Sequence, residues 1–182
     1  MEVVKSQNVK IIKYILIIFL GSILLTISSK IKIPFYPVPM TMQTFVVLFI
    51  GVTLGAKIGM LTVSLYLLEG IFGLPVFAGT PEKGIGLIYF TGPTMGYLIG
   101  FILAIYVSGF FKYDKRVLIN FLKLVFSVSF IYILGLLWLG NLIGWEKPIF
   151  KLGAQPFLLA ELFKVLLATF IINKVKKFKN IF

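Results

Sequence analysis

A carboxylate and an ammonium three residues apart, Glu161 and Lys164, stand in the apolar run Pro156-Phe-Leu-Leu-Ala-Glu-Leu-Phe-Lys-Val-Leu-Leu-Ala-Thr-Phe-Ile-Ile172. On a helix, positions i and i+3 share a face, so both groups point the same way. Each charge costs roughly 2.5–3.5 kcal/mol at the centre of a bilayer. A pair retained at that cost can meet the donors and acceptors of a polar ligand. The other reading of the same residues is a structural ion pair that fixes helix packing.

The surrounding chain is membrane-like. It has 182 residues, 59% hydrophobic and 13% charged, with no cysteine and no histidine, and a mean hydropathy of +1.05. Soluble domains are far more polar. At about 20 residues per crossing, this length accommodates an all-α bundle of six helices and short loops, a single transmembrane domain over 1–182. Without thiols or imidazoles there are no disulfides, no usual zinc ligands and no His or Cys for catalysis. The acids are Glu2, Glu69, Glu82, Asp114, Glu146 and Glu161, and of these Glu69 and Glu161 have apolar surroundings. Neither an enzyme nor a bound cofactor or metal is expected from this inventory. The formal charge of +12 is spread singly or beside apolar runs, which fits a positive-inside membrane protein and not a nucleic-acid surface.

Breaks in the apolar pattern put helices at roughly 11–31, 41–55, 58–72, 92–111, 117–140 and 156–175, the second and third joined tightly around Lys57. With the N-terminus inside, the cytoplasmic side holds Lys5, Lys10, Lys13, Lys57, Lys112, Lys115, Arg116, Lys174, Lys176, Lys177 and Lys179. The outer side holds Lys30, Lys32, Lys83, Lys147 and Lys151. The imbalance places both termini in the cytoplasm. The first span also resembles a secretory signal, but no soluble domain needing export follows it.

Small residues recur every fourth position at Gly92, Gly96, Gly100, Ala104 and Ser108, a face that lets a neighbouring helix approach closely. Three irregular segments fall on the outer side by this charge count. In Ile33-Pro-Phe-Tyr-Pro-Val-Pro-Met-Thr-Met-Gln-Thr44, three prolines in six residues favour extended chain, Thr41 is a candidate cap, and Gln43 falls in the first helical turn. The apolar, glycine-broken segment from Gly70 to Gly84 either packs as a lid or dips into the membrane face. It continues into Thr91-Gly-Pro-Thr-Met-Gly-Tyr97, where Pro93 suits a first helical turn. The third, 141–155, leads to Glu161 and Lys164. Together with Glu69, these groups converge in the outer half of the bundle, as a small-molecule site requires.

The segments Pro37-Val-Pro-Met-Thr-Met-Gln-Thr44, Gly73-Leu-Pro-Val-Phe-Ala78, Thr91-Gly-Pro-Thr-Met-Gly-Tyr-Leu98 and Gln155-Pro-Phe through Lys164 resemble the BioY family. These are the biotin-binding S components of energy-coupling-factor (ECF) transporters. The resemblance covers roughly residues 10–175, with the segments in the right order. It implies a multi-pass protein of the bacterial cell (inner or plasma) membrane that captures biotin outside and works with a transmembrane T component and two ATPases. It also implies that Gln43, Tyr97, Glu161 and Lys164 belong to the biotin site. Glu161 stands where the family commonly has Asp, Met95 where Gly is usual, and the first helix lacks the expected alanine pairs.

Independently of the resemblance, a carboxylate and an ammonium on one face complement a ureido group, which has two N–H donors and one carbonyl. Phe77 and Tyr97 are candidates to enclose the apolar remainder of such a ligand. The chain has no G-x-x-x-x-G-K-[ST], so it is not itself a P-loop ATPase. An S component for another vitamin and a stand-alone facilitator of biotin uptake are the remaining transport readings. An intramembrane enzyme and a purely structural membrane partner are the readings outside transport.

Overall fold

A computed structural model describes residues 2–179 of the backbone and the side chains of residues 9–172. Lys5, Lys174, Lys176, Lys177 and Lys179, which contribute to the charge count above, lie outside the described side chains. The chain runs α1 (Glu2–Lys30), β1 (Lys32–Ile33), β2 (Met40–Thr41), α2 (Gln43–Ile71), a 3-10 turn (Gly86–Thr91), α3 (Met95–Phe110), α4 (Val117–Ile143), α5 (Ile149–Gly153), a 3-10 turn (Gln155–Phe157) and α6 (Leu158–Lys179). Among the described residues, four stretches are long and apolar enough to cross a membrane: Val9–Lys30, Gln43–Ile71, Val117–Ile143 and Ile149–Ile172. Helix suits such sequences because it satisfies every backbone N–H and C=O within the segment, where lipid offers no partner.

Helix α2 is not straight. Gly55 has φ 77° and ψ 174°, outside helical values. At the two ends of the element, Gln43 Nε2 donates to Tyr66 Oη at 2.7 Å, although the residues are 23 apart. A straight helix would separate them by about 35 Å. The chain therefore doubles back at Gly55, two residues before the turn expected at Lys57. This turn seats on the end of α3, where a Cβ on Gly109 would lie 2.3 Å from the Ala56 nitrogen.

Several helix starts differ from the sequence expectation. Thr41 is paired in β2 with Lys32, so it precedes the Met42 cap position. Its Oγ1 still accepts from the Gln43 amide at 3.4 Å. Pro93 precedes the Thr94 cap of α3 and is not in the first turn, because the backbone at Gly92 is extended. Pro156 belongs to the 3-10 turn before α6.

The small-residue face serves two neighbours. A Cβ on Gly96 would lie 2.3 Å from the Leu134 carbonyl oxygen, and one on Gly100 would lie 2.6 Å from Ile131 Cα, both on α4. Ser108 instead meets α2 at Gly51. The glycine-broken segment after α2 is pinned through its carbonyls. Ser29 Oγ (2.7 Å) and Tyr66 Oη (3.2 Å) donate to Val76 O, Lys30 Nζ to Phe77 O (2.8 Å), and Tyr89 Oη to Ala78 O (2.6 Å). The short antiparallel β1–β2 pair brings the chain into α2.

Candidate functional site

The first two turns of three helices converge on one cavity. From α2 come Gln43 and Thr44, from α3 Tyr97, and from α6 Glu161 and Lys164. Tyr132 of α4 and Thr41 of β2 complete the polar wall. The cleft is narrow, with about 60 Å³ of free internal space and about 540 Å³ when the gaps between atoms and the adjoining solvent are counted, and Leu98, Phe101, Ile131 and Phe157 supply much of its apolar side.

Glu161 and Lys164 are 5% and 8% exposed, and their side chains lie 3.2 Å apart. Such burial requires hydrogen bonds for both charges. The ammonium has three N–H donors, and all three find partners: Thr41 O at 2.8 Å, Thr44 Oγ1 at 3.1 Å and Glu161 Oε2 at 3.2 Å. Glu161 Oε2 also accepts from Thr44 Oγ1 at 2.9 Å and from Tyr132 Oη at 3.0 Å. The other carboxylate oxygen, Oε1, is buried and has no hydrogen-bond partner among the described residues. The pair is thus saturated on its lysine side and open on one acidic oxygen. Chemically, the wall calls for a ligand that donates N–H or O–H.

The remaining expected residues divide. Gln43, 3% exposed, lines the cavity with its amide nitrogen committed to Tyr66. Tyr97 lines it as well. Its hydroxyl donates to Gly153 O at 2.8 Å, and its ring meets Tyr132 edge-on at 6.2 Å. The Tyr97 ring fills a slot that glycine keeps clear, since a Cβ on Gly135 would lie 2.4 Å from it. Phe77 does not line the cavity. It is 1% exposed, stacks on Tyr89 at 4.7 Å, and meets Tyr66 and Phe90 edge-on at 5.3 Å each. Tyr89 takes the cavity-facing place expected of Phe77. Burial raises the Tyr89 hydroxyl pKa, which keeps it a donor to Ala78 O. Glu69 is also away from the site, accepting a hydrogen bond from Ser22 on α1.

Sequence reasoning missed Thr44, Tyr132 and Tyr89. Thr44 sits in the quoted first motif, one residue past Gln43. Tyr132 carries a hydroxyl in the middle of an apolar helix, and that was its available signal. Among the described residues, no group of three or more Asp, Glu, His or Cys side chains could hold a metal ion.

Comparison with known proteins gives a consistent result. The family model described as "BioY family" matches residues 3–180. The chain is 33% identical over 153 residues to the "Probable biotin transporter BioY" of Pyrococcus horikoshii, covering 84% of this chain and 90% of that one. It is 37% identical over 155 residues to the "Biotin transporter BioY" of Thermotoga maritima, covering 85% and 90%. The fold matches a solved S component for biotin from an ECF-type ABC transporter with a TM-score of 0.76, at 24% identity over 93% and 94% of the two chains. With nearly its whole length matched, this chain belongs to the BioY family.

Proposed function

We propose that the chain is the substrate-binding S component of an ECF-type transporter, capturing biotin and passing it inward on energy supplied by partner ATPases through a T component. The family and the relatives named as biotin transporters support a transport role over an enzymatic one. In this reading, residues 1–182 are one transmembrane domain of the cell membrane, multi-pass, with both termini cytoplasmic. The reversal at Gly55 supports counting α2 as two crossings, which together with α1, α3, α4 and α6 makes six.

The observation that carries the proposal is Glu161 Oε1, a buried acceptor without a donor among the described residues, on the wall of a mostly apolar cleft. Biotin's ureido ring brings N–H donors to such an oxygen. Its carbonyl can take a hydrogen bond from Lys164 in exchange for one of the three that the ammonium now makes. The sulfur ring fits the apolar side formed by Leu98, Phe101, Ile131 and Phe157 and the Tyr97 ring. A ligand without ureido N–H groups leaves the buried Glu161 Oε1 without a donor, at a cost of about 1–3 kcal/mol.

Titration calorimetry on the detergent-purified chain tests this directly. Biotin binds, and a vitamin of similar size without a ureido group does not. Equal binding of the two, or preference for the second, transfers the proposal to a different vitamin.

A further inference from the structure

Tyr66 is fully buried and does not line the cavity, yet its hydroxyl decides which end of the Gln43 amide does. A phenol has one hydrogen to donate, and a carbonyl oxygen can only accept. Tyr66 Oη gives that hydrogen to Val76 O at 3.2 Å. It therefore meets Gln43 with its lone pairs, and the amide must turn its NH2 group inward, donating at 2.7 Å. The ring that carries the hydroxyl is held edge-on against Phe77 at 5.3 Å. Ser29 Oγ pins the same Val76 carbonyl at 2.7 Å, so the acceptor that orients Tyr66 is itself fixed.

Gln43 lines the cavity, and with its nitrogen drawn back to Tyr66 the end left for a ligand is the carbonyl oxygen, Oε1. Among the described residues its partner is Thr41 Oγ1 at 3.4 Å, longer than a normal O–H···O hydrogen bond. An amide oxygen has two lone pairs, so Oε1 has capacity to spare. The next residue, Thr44, donates to Glu161 Oε2, which puts Gln43 and Glu161 on one stretch of wall. The cavity then carries two acceptors, a charged one at Glu161 Oε1 and a neutral one at Gln43 Oε1. We propose that Tyr66 is a positioning residue that fixes the Gln43 amide as an acceptor, so that the site selects a head group with two N–H donors over one with a single N–H. This rests on the reading of the cavity as the ureido site. With the amide turned over, its NH2 group would face the ligand's second N–H, donor against donor.

The test compares biotin with its two cyclic carbamate analogues, in each of which one ring N–H is replaced by oxygen. Calorimetry is run on the wild-type chain, on Tyr66→Phe, on Gln43→Leu and on the double variant, with melting temperatures to confirm folding. The wild type binds both carbamates more weakly than biotin. Tyr66→Phe keeps the ring contact and leaves Val76 O to Ser29. It weakens biotin by about fivefold, the scale of one hydrogen bond between neutral groups. The carbamate lacking the N–H that faces Gln43 loses nothing in Tyr66→Phe, and on the Gln43→Leu background Tyr66→Phe has no further effect on biotin. A uniform loss for all three ligands, additive losses in the double variant, or no loss at all overturns the positioning role alone. Should Tyr66→Phe fail to fold, the wild type decides: two weakened carbamates support two acceptors, and a carbamate that binds as tightly as biotin overturns them. A folded wild type that does not bind biotin overturns the ureido reading and the positioning role with it.

Discussion

Thr44 and Glu161, 117 residues apart in the sequence, share a 2.9 Å hydrogen bond that ties the first turn of α2 to the first turn of α6. The same hydroxyl accepts from Lys164 at 3.1 Å, so one small side chain serves both charges of the pair. Thr44→Val keeps the shape and removes both hydrogen bonds. A buried acceptor and a buried donor each lose a partner, which costs about 1–3 kcal/mol. Melting in detergent should show a lower Tm and calorimetry a weaker affinity for biotin. An unchanged Tm would mean the hydroxyl is dispensable to the pair.

Removing either charge tests the site itself. Lys164→Ala leaves the Glu161 carboxylate buried with fewer donors and takes away the proposed ureido carbonyl partner, so biotin affinity falls by at least about tenfold. In Glu161→Gln, the amide oxygen can keep the donors now on Oε2, which turns the NH2 group toward the ligand's N–H. Donor then faces donor, and affinity again falls by about tenfold or more, with a lower Tm because the buried Lys164 ammonium loses its counter-charge. Tighter biotin binding by the Gln variant would count against the ureido model.

Phe77 was expected at the ligand and instead packs behind Tyr89. Phe77→Leu should lose aromatic contacts with Tyr66, Tyr89 and Phe90 and cost about 1–3 kcal/mol of stability. The folded fraction should bind biotin with nearly wild-type affinity. A large affinity loss at unchanged Tm would place the ring against the ligand after all.

At the α3–α4 contact, Gly100→Ala brings a methyl to 2.6 Å from Ile131 Cα. Backbone cannot yield as a side chain can, so the helices must separate. Size-exclusion profiles and melting curves should show less monodisperse protein and a lower Tm. Normal behaviour would indicate that α3 and α4 approach less closely than this.

Charge and composition made the centre of the candidate site legible. Two ionisable residues in an apolar helix are costly, and Glu161 and Lys164 do meet across one cavity wall. Gln43 and Tyr97 were legible through the motifs around them. Phe77 packs on Tyr66, Tyr89 and Phe90 and does not line the cavity, and an apolar loop residue looks the same in sequence whether it faces a cavity or a packed core. The hydrogen bonds from Ser29, Lys30, Tyr66 and Tyr89 to the 76–78 carbonyls hold the loop in that packing. Glu69 was drawn into the site by its apolar neighbours, and Ser22 on α1 claims it. Thr44 and Tyr132 were overlooked because hydroxyls are common in helices and gain meaning from what faces them.

Gly55 has a consequence for how this chain is made. By hydropathy, 43–71 reads as one long insertion segment, and one crossing there instead of two would reverse the sidedness of everything after it. The parity of the proposed topology thus hangs on one residue whose φ of 77° a side chain would strain. In that proposed topology, the reversal that sets the number of crossings also brings Tyr66 back to Gln43 at the wall of the candidate site.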